Sequence, residues 1–256
     1  MCYNTRWCFC AKVKRGTDFF VRIDKLLSEL GICTRREAAK IAKSGGILVD
    51  GTPVKDSSKH IDPEKSAISF LGKNIVYRKF TYIMLNKPEG YVSATDDKSL
   101  PYVTELLPEE LRRREIFPVG RLDRDTVGLM ILTNNGQLAH SVLSPKHHVE
   151  KVYRFTAAEP VKLGAEDVFL EGVTLADGYE CKSAVLTLDE GRTSGIIVLT
   201  EGKYHQIKRM IASTGNRVTS LERISFGGIG LDSSLKRGEW RYLTDDEITL
   251  LENATK

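Results

Sequence analysis

Strand-like and helix-like segments follow one another in an irregular order along most of this 256-residue chain. Apolar runs that favour β-strands are the YIMLNKPEG run from Tyr82 and the segments 128–133, 151–158, 184–190 and 195–200. Segments typical of helices lie near 103–115, 136–143 and 203–214. Because the order lacks a regular strand–helix–strand alternation, it predicts an α+β fold around a mixed, largely antiparallel sheet.

Charge is distributed unevenly along the chain. The net charge of +4 is too small to indicate a nucleic-acid partner by itself. Residues 1–80, however, carry 16 Lys and Arg against 8 Asp and Glu, a net charge of +8, whereas residues 81–256 carry 22 against 26, a net charge of −4. This asymmetry indicates a polyanion-binding module in front of a second domain, with solvated lysines on a small domain as the alternative.

Composition and cysteine usage exclude several classes of protein. Hydrophobic residues make up 41% of the chain and charged residues 28%, as in ordinary globular proteins. No uncharged apolar run approaches the roughly 18 residues of a membrane span, so no membrane partner is expected. The cysteines are Cys2, Cys8, Cys10, Cys33 and Cys181. Their odd number and uneven spacing predict a reducing cytoplasm, and no metal site is expected because a CxxC motif is lacking.

The first structured segment is predicted to contain two short helices and a hairpin. Apolar residues recur at i, i+3, i+4 and i+7 from Ile23, which indicates one face of a helix. Thr34 and Glu37 have the spacing of a capping box at the start of a second helix. Asp50-Gly51 between two β-prone stretches is typical of a hairpin turn.

Basic residues cluster on or beside these two helices: Arg22, Lys25, Arg35, Arg36, Lys40 and Lys43. Their aliphatic stems can cover apolar surface while their charges reach phosphates. The run RIDKLLSELGICTRREAAKIAKSGGILVDG resembles the S4 RNA-binding module, which implies that this segment recognises structured RNA by its shape. We therefore expect an extension at 1–20, poorly ordered, an S4-like domain at 21–78 and a second domain at 79–256.

The run VGRLDRDTVGLMILTNNG contains the strongest candidate for chemistry. Gly120 and Gly128 frame a polar loop that holds Asp123, and an apolar strand follows at once. An acid in this position is held rigidly, as functional loop residues are. From spacing alone, a loop-stabilising Asp paired with a neighbouring Arg remains the more frequent case. A phosphatase site made of Asp123 and Asp125 is disfavoured, because Thr126 comes one residue too early for the D-x-D-x-T spacing.

Two later runs carry further candidates. In SPKHHVEKVYRF, Lys151 and Tyr153 are two residues apart and share one face of a predicted strand. In EGKYHQIKRMIASTGNRV, apolar residues at helical spacing from Ile207 form one face and leave Lys208 and Arg209 turned elsewhere. A half-buried core tyrosine and a solvated basic helix are the alternatives that the residues leave open.

Together, the runs YIMLNKPEGYVSATDD, GRLDRDTVGLMILTNNGQLAH, SPKHHVEKVYR and EGKYHQIKRMIASTGN resemble the ribosomal small subunit pseudouridine synthase A family. The resemblance implies that Asp123 is the catalytic aspartate and that Tyr153 stacks on the target base. It likewise implies that Lys208 pairs with the aspartate and that Arg121 helps to hold the flipped state. It also implies a pseudouridine synthase domain after the S4-like domain, without a cofactor or a metal.

The resemblance implies a reaction on a base that has left its stack. The expected activity is the conversion of a uridine, uridine 516 in the family, to pseudouridine in small-subunit (16S) ribosomal RNA or a 30S assembly intermediate, by a cytoplasmic monomer. The alternatives are a sister enzyme that modifies 23S ribosomal RNA and a non-catalytic S4-type RNA-binding or ribosome-assembly protein. Covalent attack by Asp123 and its action as a base that yields a glycal intermediate both remain open.

Overall fold

The computed structural model describes residues 20–256, which form two compact units that divide between Tyr77 and Arg78. The extension predicted for residues 1–20 therefore lies, apart from Phe20, outside the described residues, and so do Cys2, Cys8 and Cys10. Cys33 and Cys181 are buried free thiols in the described part of the chain.

The first unit contains the two helices and the hairpin that the sequence predicts. Its elements are β1 (Val21–Arg22), α1 (Ile23–Glu29), α2 (Arg35–Lys43), β2 (Ile47–Val49), β3 (Thr52–Pro53), β4 (His60–Ile61), β5 (Ile68–Phe70) and β6 (Lys73–Ile75). The Thr34 hydroxyl accepts a hydrogen bond from the Glu37 backbone N–H, and the Glu37 carboxylate accepts one from the Thr34 N–H, so the predicted capping box is confirmed.

Apolar faces of both helices build the core of the first unit. Ile23, Leu26 and Leu27 of α1 pack with Ala38 and Ala42 of α2 in one buried cluster. Strands β3, β2, β5 and β6 form an antiparallel sheet in that order, and β1 pairs with β4. The periodicity from Ile23 thus identifies the buried face correctly.

The second unit is built on a large sheet with helices against it. Its elements are β7 (Tyr82–Lys87), a 3₁₀ helix (Val103–Leu106), α3 (Glu109–Arg112), β8 (Phe117–Pro118), β9 (Val127–Thr133), α4 (Gly136–Leu143), β10 (Lys151–Ala157), α5 (Ala165–Glu171), β11 (Val185–Leu188), β12 (Ser194–Leu199), α6 (Gln206–Ser213), β13 (Val218–Phe226), β14 (Ile229–Gly230), β15 (Trp240–Tyr242) and α7 (Asp245–Asn253).

Within the described residues, the sheet of the second unit has nine strands. Seven of them follow the order β11-β12-β10-β13-β9-β7-β15, while β14 pairs with β13 and β8 pairs with β9. The β13–β9 pair is parallel and the other pairs are antiparallel. The predicted α+β class with a mixed, largely antiparallel sheet is therefore confirmed.

Strands β7 and β9 are covered on both faces. Ile83 and Leu85 belong to one apolar cluster, whereas Met84, between them, belongs to another, as period-two alternation requires. Phe169 of α5 and Ile207 of α6 pack in the first cluster, and α4 and α7 contribute to the second. These central strands are therefore rigid supports for the loops at their ends.

Two sequence expectations need correction. The helix predicted near 103–115 is a 3₁₀ turn followed by the four-residue α3, because Pro108 forces Leu107 into an extended conformation. The nine-residue strand β13 was not predicted, since the polar pair Glu222-Arg223 interrupts its apolar pattern.

In the described part of the chain, no helix is long and apolar enough to cross a membrane.

Candidate active site

Asp123 lies in the loop that connects β8 to β9, at the end of the sheet where β7 also ends. Leu122, the preceding residue, is buried. Its backbone N–H donates to the Ser93 hydroxyl oxygen at 2.9 Å, and its carbonyl accepts from the same hydroxyl at 2.7 Å. Ser93 therefore anchors the loop one residue before the carboxylate, which agrees with the rigid loop that the glycine-framed run predicts.

A buried ammonium group holds the other side of this loop. Lys87 ends β7 with no exposed surface, and its Nζ lies 3.1 Å from the Asp123 carbonyl, 3.3 Å from that of Arg124 and 2.8 Å from that of Thr126. Burial lowers the pKa of Lys87 to about 8, although the Asp125 and Asp123 carboxylates oppose this effect. The loop thus wraps around a cation that binds its backbone.

The Asp123 carboxylate faces two side chains from the C-terminal part of the unit. Its Oδ2 lies 3.0 Å from Lys208 Nζ, and its Oδ1 lies 3.6 Å from His205 Nε2. The Asp123 side chain is 26% exposed, so the carboxylate is accessible from solvent while it is paired. The carboxylate therefore lies between an ammonium group and an imidazole nitrogen at an edge of the site that solvent can reach.

Lys208 is shared between two carboxylates. Its Nζ also donates to Asp125 Oδ1 at 2.6 Å. Burial alone would lower the pKa of Lys208, but the bonds to Asp125 and Asp123 outweigh burial and raise the pKa. Burial likewise opposes ionisation of Asp125, yet the hydrogen bond from Lys208 lowers its pKa overall. The lysine therefore remains charged at neutral pH.

Strands β9 and β13 approach closely beside this loop. Gly128 has φ of +99°, and a Cβ at this position would lie 2.4 Å from the carbonyl oxygen of Arg223. Glycine is therefore required where the parallel pair begins. The buried Arg223 donates from Nε to the Leu129 carbonyl at 2.8 Å, which joins the two strands beyond the glycine.

Tyr153 lies in β10, two strands from Gly128. It pairs with Arg223 of β13, which in turn pairs with Gly128 of β9. Neighbouring strands are about 4.8 Å apart, so the backbone of Tyr153 is roughly 10 Å from that of Gly128. The ring is 9% exposed and packs in the larger apolar cluster. The structure thus places Tyr153 on the same row of the sheet as the end of the Asp123 loop, in a core-like environment.

Lys151 begins β10 two residues before Tyr153. Its Nζ donates to the Val149 carbonyl at 2.7 Å and lies 5.6 Å from the centroid of the Phe226 ring. Burial and the nearby Arg223 charge lower its pKa to about 8. A second partly buried lysine therefore lies near the central strands.

Arg121 is exposed. No hydrogen bond or ion pair joins its side chain to another residue of the described part of the chain. The structure therefore brings Asp123 and Lys208 together, places Tyr153 two strands away from the end of the Asp123 loop and leaves Arg121 open to solvent.

Helix α6 carries Lys208, and a buried carboxylate fixes the segment before it. Glu201 accepts hydrogen bonds from the Tyr179 hydroxyl at 2.8 Å, from the Lys182 backbone N–H at 2.9 Å and from Gln206 Nε2 at 2.6 Å. The Gln206 side-chain oxygen accepts from the Lys203 N–H at 2.8 Å. These bonds set the start of α6 and, through it, the position of Lys208.

Three residues of this site were missed by sequence reasoning. Lys87 was interpreted only as the end of a strand, His205 lay within the helix predicted near 203–214 without a role, and Glu201 was given no role. The burial of Lys87 depends on carbonyl groups from a loop about 36 residues later in the chain, which no local pattern reveals. A lysine that follows the apolar run YIML after a single polar residue is the signal that was available.

The predicted RNA-binding residues of the first unit fall into two groups. Arg22 and Arg35 pair with the buried Asp24 at 2.7 Å and 3.4 Å, and Lys25 lies 3.6 Å from Glu29. The side chains that are exposed and form no ion pair with another described residue are Arg36, Lys40 and Lys43. Helix α2 therefore presents three cations that are available to a polyanion.

Comparisons with known proteins agree over most of the chain. A family model described as RNA pseudouridylate synthase matches residues 81–213, and one described as S4 domain matches residues 21–65. An uncharacterized RNA pseudouridine synthase of Bacillus subtilis (strain 168), YtzG, is 44% identical over 236 residues, which cover 90% of this chain and 98% of that protein.

Further relatives have a more specific name. The ribosomal small subunit pseudouridine synthase A of Escherichia coli (strain K12) is 38% identical over 231 residues, or 89% of this chain and 98% of that protein. A crystal structure of a pseudouridylate synthase superposes with a TM-score of 0.64 at 37% identity, and covers 90% of this chain and 99% of that chain.

Proposed function

Because this chain belongs to the RNA pseudouridylate synthase family, we propose that it isomerises a uridine of small-subunit ribosomal RNA to pseudouridine. The family makes the chain an RNA isomerase with an S4 domain. Similar proteins from Escherichia coli and Vibrio cholerae are named ribosomal small subunit pseudouridine synthase A, and these names support the choice of small-subunit RNA. The observation in the site that carries the proposal is the ion pair of 3.0 Å between Asp123 and Lys208.

The chemistry requires an ionised carboxylate and a base outside its stack. The reaction breaks the N1–C1′ bond and forms a C5–C1′ bond, while C5 loses a proton and N1 gains one. Atoms and electrons balance without a redox partner. As a nucleophile or as a base, Asp123 must carry its charge, and Lys208 keeps it charged. Covalent and glycal routes both start from this carboxylate.

We assign the remaining roles by the same proposal. Tyr153 stacks on the flipped uracil and receives the C5 proton late in the reaction. Arg121, exposed next to the Asp123 loop, helps to hold the flipped nucleotide or its strand. Lys87 is a positioning residue, since its ammonium donates to backbone carbonyls, those of the loop and that of Pro88.

The first unit supplies affinity for structured RNA in this proposal. We place the RNA-binding domain at 21–78 and the catalytic domain at 79–256, and we assign RNA contacts to the six basic residues of the first unit. Arg36, Lys40 and Lys43 contribute most, since their charges are not paired with described residues. The substrate is free small-subunit RNA or a 30S assembly intermediate in the cytoplasm, uridine 516 is the position modified, and the enzyme acts as a monomer.

Substitution of the two loop carboxylates tests the proposal. Asp123→Asn should abolish tritium release from small-subunit RNA labelled at uridine C5, because the amide cannot act as nucleophile or base, while RNA binding persists. Asp125→Asn is the matched control, since it lies in the same loop and binds the same lysine. We expect the control to retain activity within about tenfold. Undiminished release by Asp123→Asn would contradict the assignment.

Mapping of the product distinguishes the alternatives. Carbodiimide mapping of pseudouridines in both ribosomal RNAs of a deletion strain should show one missing site, at uridine 516 of the small subunit. A missing site in 23S ribosomal RNA would identify the sister specificity instead. An unchanged map, together with RNA binding, would favour the non-catalytic RNA-binding protein.

A further inference from the structure

An aromatic pair lies beside the Asp123 carboxylate and is not used by the chemistry proposed above. The rings of Tyr204 and His205 are stacked, with centroids 3.9 Å apart and an angle of 17° between their planes. Tyr204 is 74% exposed, which is unusual for a large aromatic side chain, while His205 Nε2 lies 3.6 Å from Asp123 Oδ1. The stack therefore leads from the catalytic carboxylate to solvent.

The backbone under the pair is held in place. His205 has φ of +50°, in the left-handed region that is unfavourable for a non-glycine residue. Its carbonyl accepts the Arg209 N–H at 2.9 Å, and the neighbouring Gln206 is tied to Glu201 and to Lys203. The surrounding contacts thus maintain an unfavourable backbone conformation at His205, in which the imidazole ring stacks on the Tyr204 ring.

The pair has the geometry and the surroundings of a base-stacking platform. Successive bases of a stacked strand are separated by about 3.4 Å, close to the 3.9 Å between these rings. Tyr204 presents an exposed ring, and aromatic rings of this kind stack unpaired bases in RNA-binding sites. Lys208 and Arg209 follow on helix α6, where Lys208 is paired with Asp123 and Asp125 and Arg209 is paired with Asp177. Because the Tyr204 ring is mostly exposed, it contributes little to the hydrophobic core.

We propose that Tyr204, supported by His205, stacks an unpaired base that adjoins the target uridine in the RNA strand. This inference rests on the proposed function, since it needs the target nucleotide at Asp123. When the target base leaves its stack, its neighbour loses a stacking partner, and the exposed ring of Tyr204 replaces that partner. Tyr204 is then a substrate-positioning residue that acts on binding, separate from the residues that act on the flipped base.

Kinetics of three variants test the platform with whichever ribosomal RNA the unaltered enzyme modifies. Tyr204→Ala should raise KM about 5- to 150-fold, the measured range for loss of one base–aromatic stack, and leave kcat within about twofold. Tyr204→Phe keeps the ring and should keep KM. Tyr242→Ala is the matched control, because Tyr242 is an exposed aromatic residue at the opposite end of β7 from Lys87.

A spectroscopic measurement separates stacking from a structural effect. RNA with 2-aminopurine next to the modified uridine is bound to protein that carries Asp123→Asn, which prevents turnover. The fluorescence should fall on binding, should stay high when Tyr204→Ala is added, and should fall again with Tyr204→Phe.

The outcomes keep the two proposals distinguishable. Absence of tritium release by the unaltered enzyme from either ribosomal RNA contradicts the proposed function and leaves no kinetic test to interpret. An active enzyme in which Tyr204→Ala has an unchanged KM overturns the platform alone. The platform is also overturned if Tyr204→Phe and Tyr204→Ala raise KM equally, or if the 2-aminopurine signal does not depend on the ring.

Discussion

At the scale of single residues, the lysines around the Asp123 loop have unequal environments. Lys208 is paired with two carboxylates, whereas Lys87 and Lys151 are satisfied mainly by backbone carbonyls. The environments of Lys87 and Lys151 could not be predicted from the sequence. The partners of Lys87 come from a distant loop and that of Lys151 is a carbonyl next to its strand, and carbonyl positions are not encoded by any residue type.

Both carbonyl-bound lysines make stability depend on pH. Burial lowers the pKa of Lys87 and of Lys151 from 10.5 to about 8 in the folded protein. Between pH 8 and 10.5 these two lysines together bind about two more protons in the unfolded chain than in the folded one, so their contribution to the free energy of unfolding should rise with pH in this interval. Cys181, whose pKa is raised by burial, contributes in the opposite direction.

Urea denaturation at a series of pH values measures this rise. Lys151→Met removes one of these two lysines, and the slope of the unfolding free energy against pH should fall by the contribution of one proton, about 1.4 kcal/mol per pH unit. A variant slope equal to that of the unaltered protein would show that Lys151 does not titrate in this range. Asp123 and Lys208 are unchanged in the variant, so its activity at pH 7 reports on the integrity of the site.

At the scale of elements, the site depends on how α6 is attached. The sequence predicted α6 and the apolar face that buries it, because helical periodicity is local. It did not predict β13, whose polar centre follows from its contacts with β9 and β10, nor the break before α3. Strand order is likewise a property of distant pairs, and only the resemblance to a known family identified Lys208 as the partner of Asp123.

Glu201 provides a test of this attachment. Glu201→Gln replaces the carboxylate by a neutral amide, which weakens the charge-assisted bonds from Lys182 and Gln206 and can no longer accept from the Tyr179 hydroxyl at its nitrogen, so stability should fall by about 1–3 kcal/mol. Since α6 carries Lys208, kcat should fall as well. Chemical denaturation and tritium release measure the two effects.

Tyr179→Phe is the matched control for this substitution. It removes one of the three donors, leaves the carboxylate in place and should cost only about 1 kcal/mol with little loss of kcat. Equal losses of kcat in the two variants would show that the carboxylate does not fix α6.

At the scale of the whole molecule, the uneven charge of the sequence corresponds to two units with different composition. The exposed cations of α2 belong to the first unit, and the carboxylate–lysine site belongs to the second. Affinity for a polyanion and chemistry on one base are therefore assigned to separate parts of the chain in the proposed function.

Neutralisation of α2 tests this division in the full chain. The triple variant Arg36→Gln, Lys40→Gln and Lys43→Gln should weaken RNA binding and reduce the slope of log Kd against log salt by roughly 2 to 3, at about 0.7–0.9 per phosphate contact. The kcat at saturating RNA should stay within about twofold. An unchanged salt slope, measured by filter binding, would count against RNA contacts by α2.

The place of β13 in the sheet has a consequence for protein synthesis. This strand lies between β10 and β9 in the sheet, yet it is synthesised after both of them, at residues 218–226. Until then the nascent chain holds two separate half-sheets with open edges, which are exposed to wrong pairing and to proteases. A chain that ends before residue 218 should therefore lack the strand that joins the two half-sheets, and we expect it not to assemble the site.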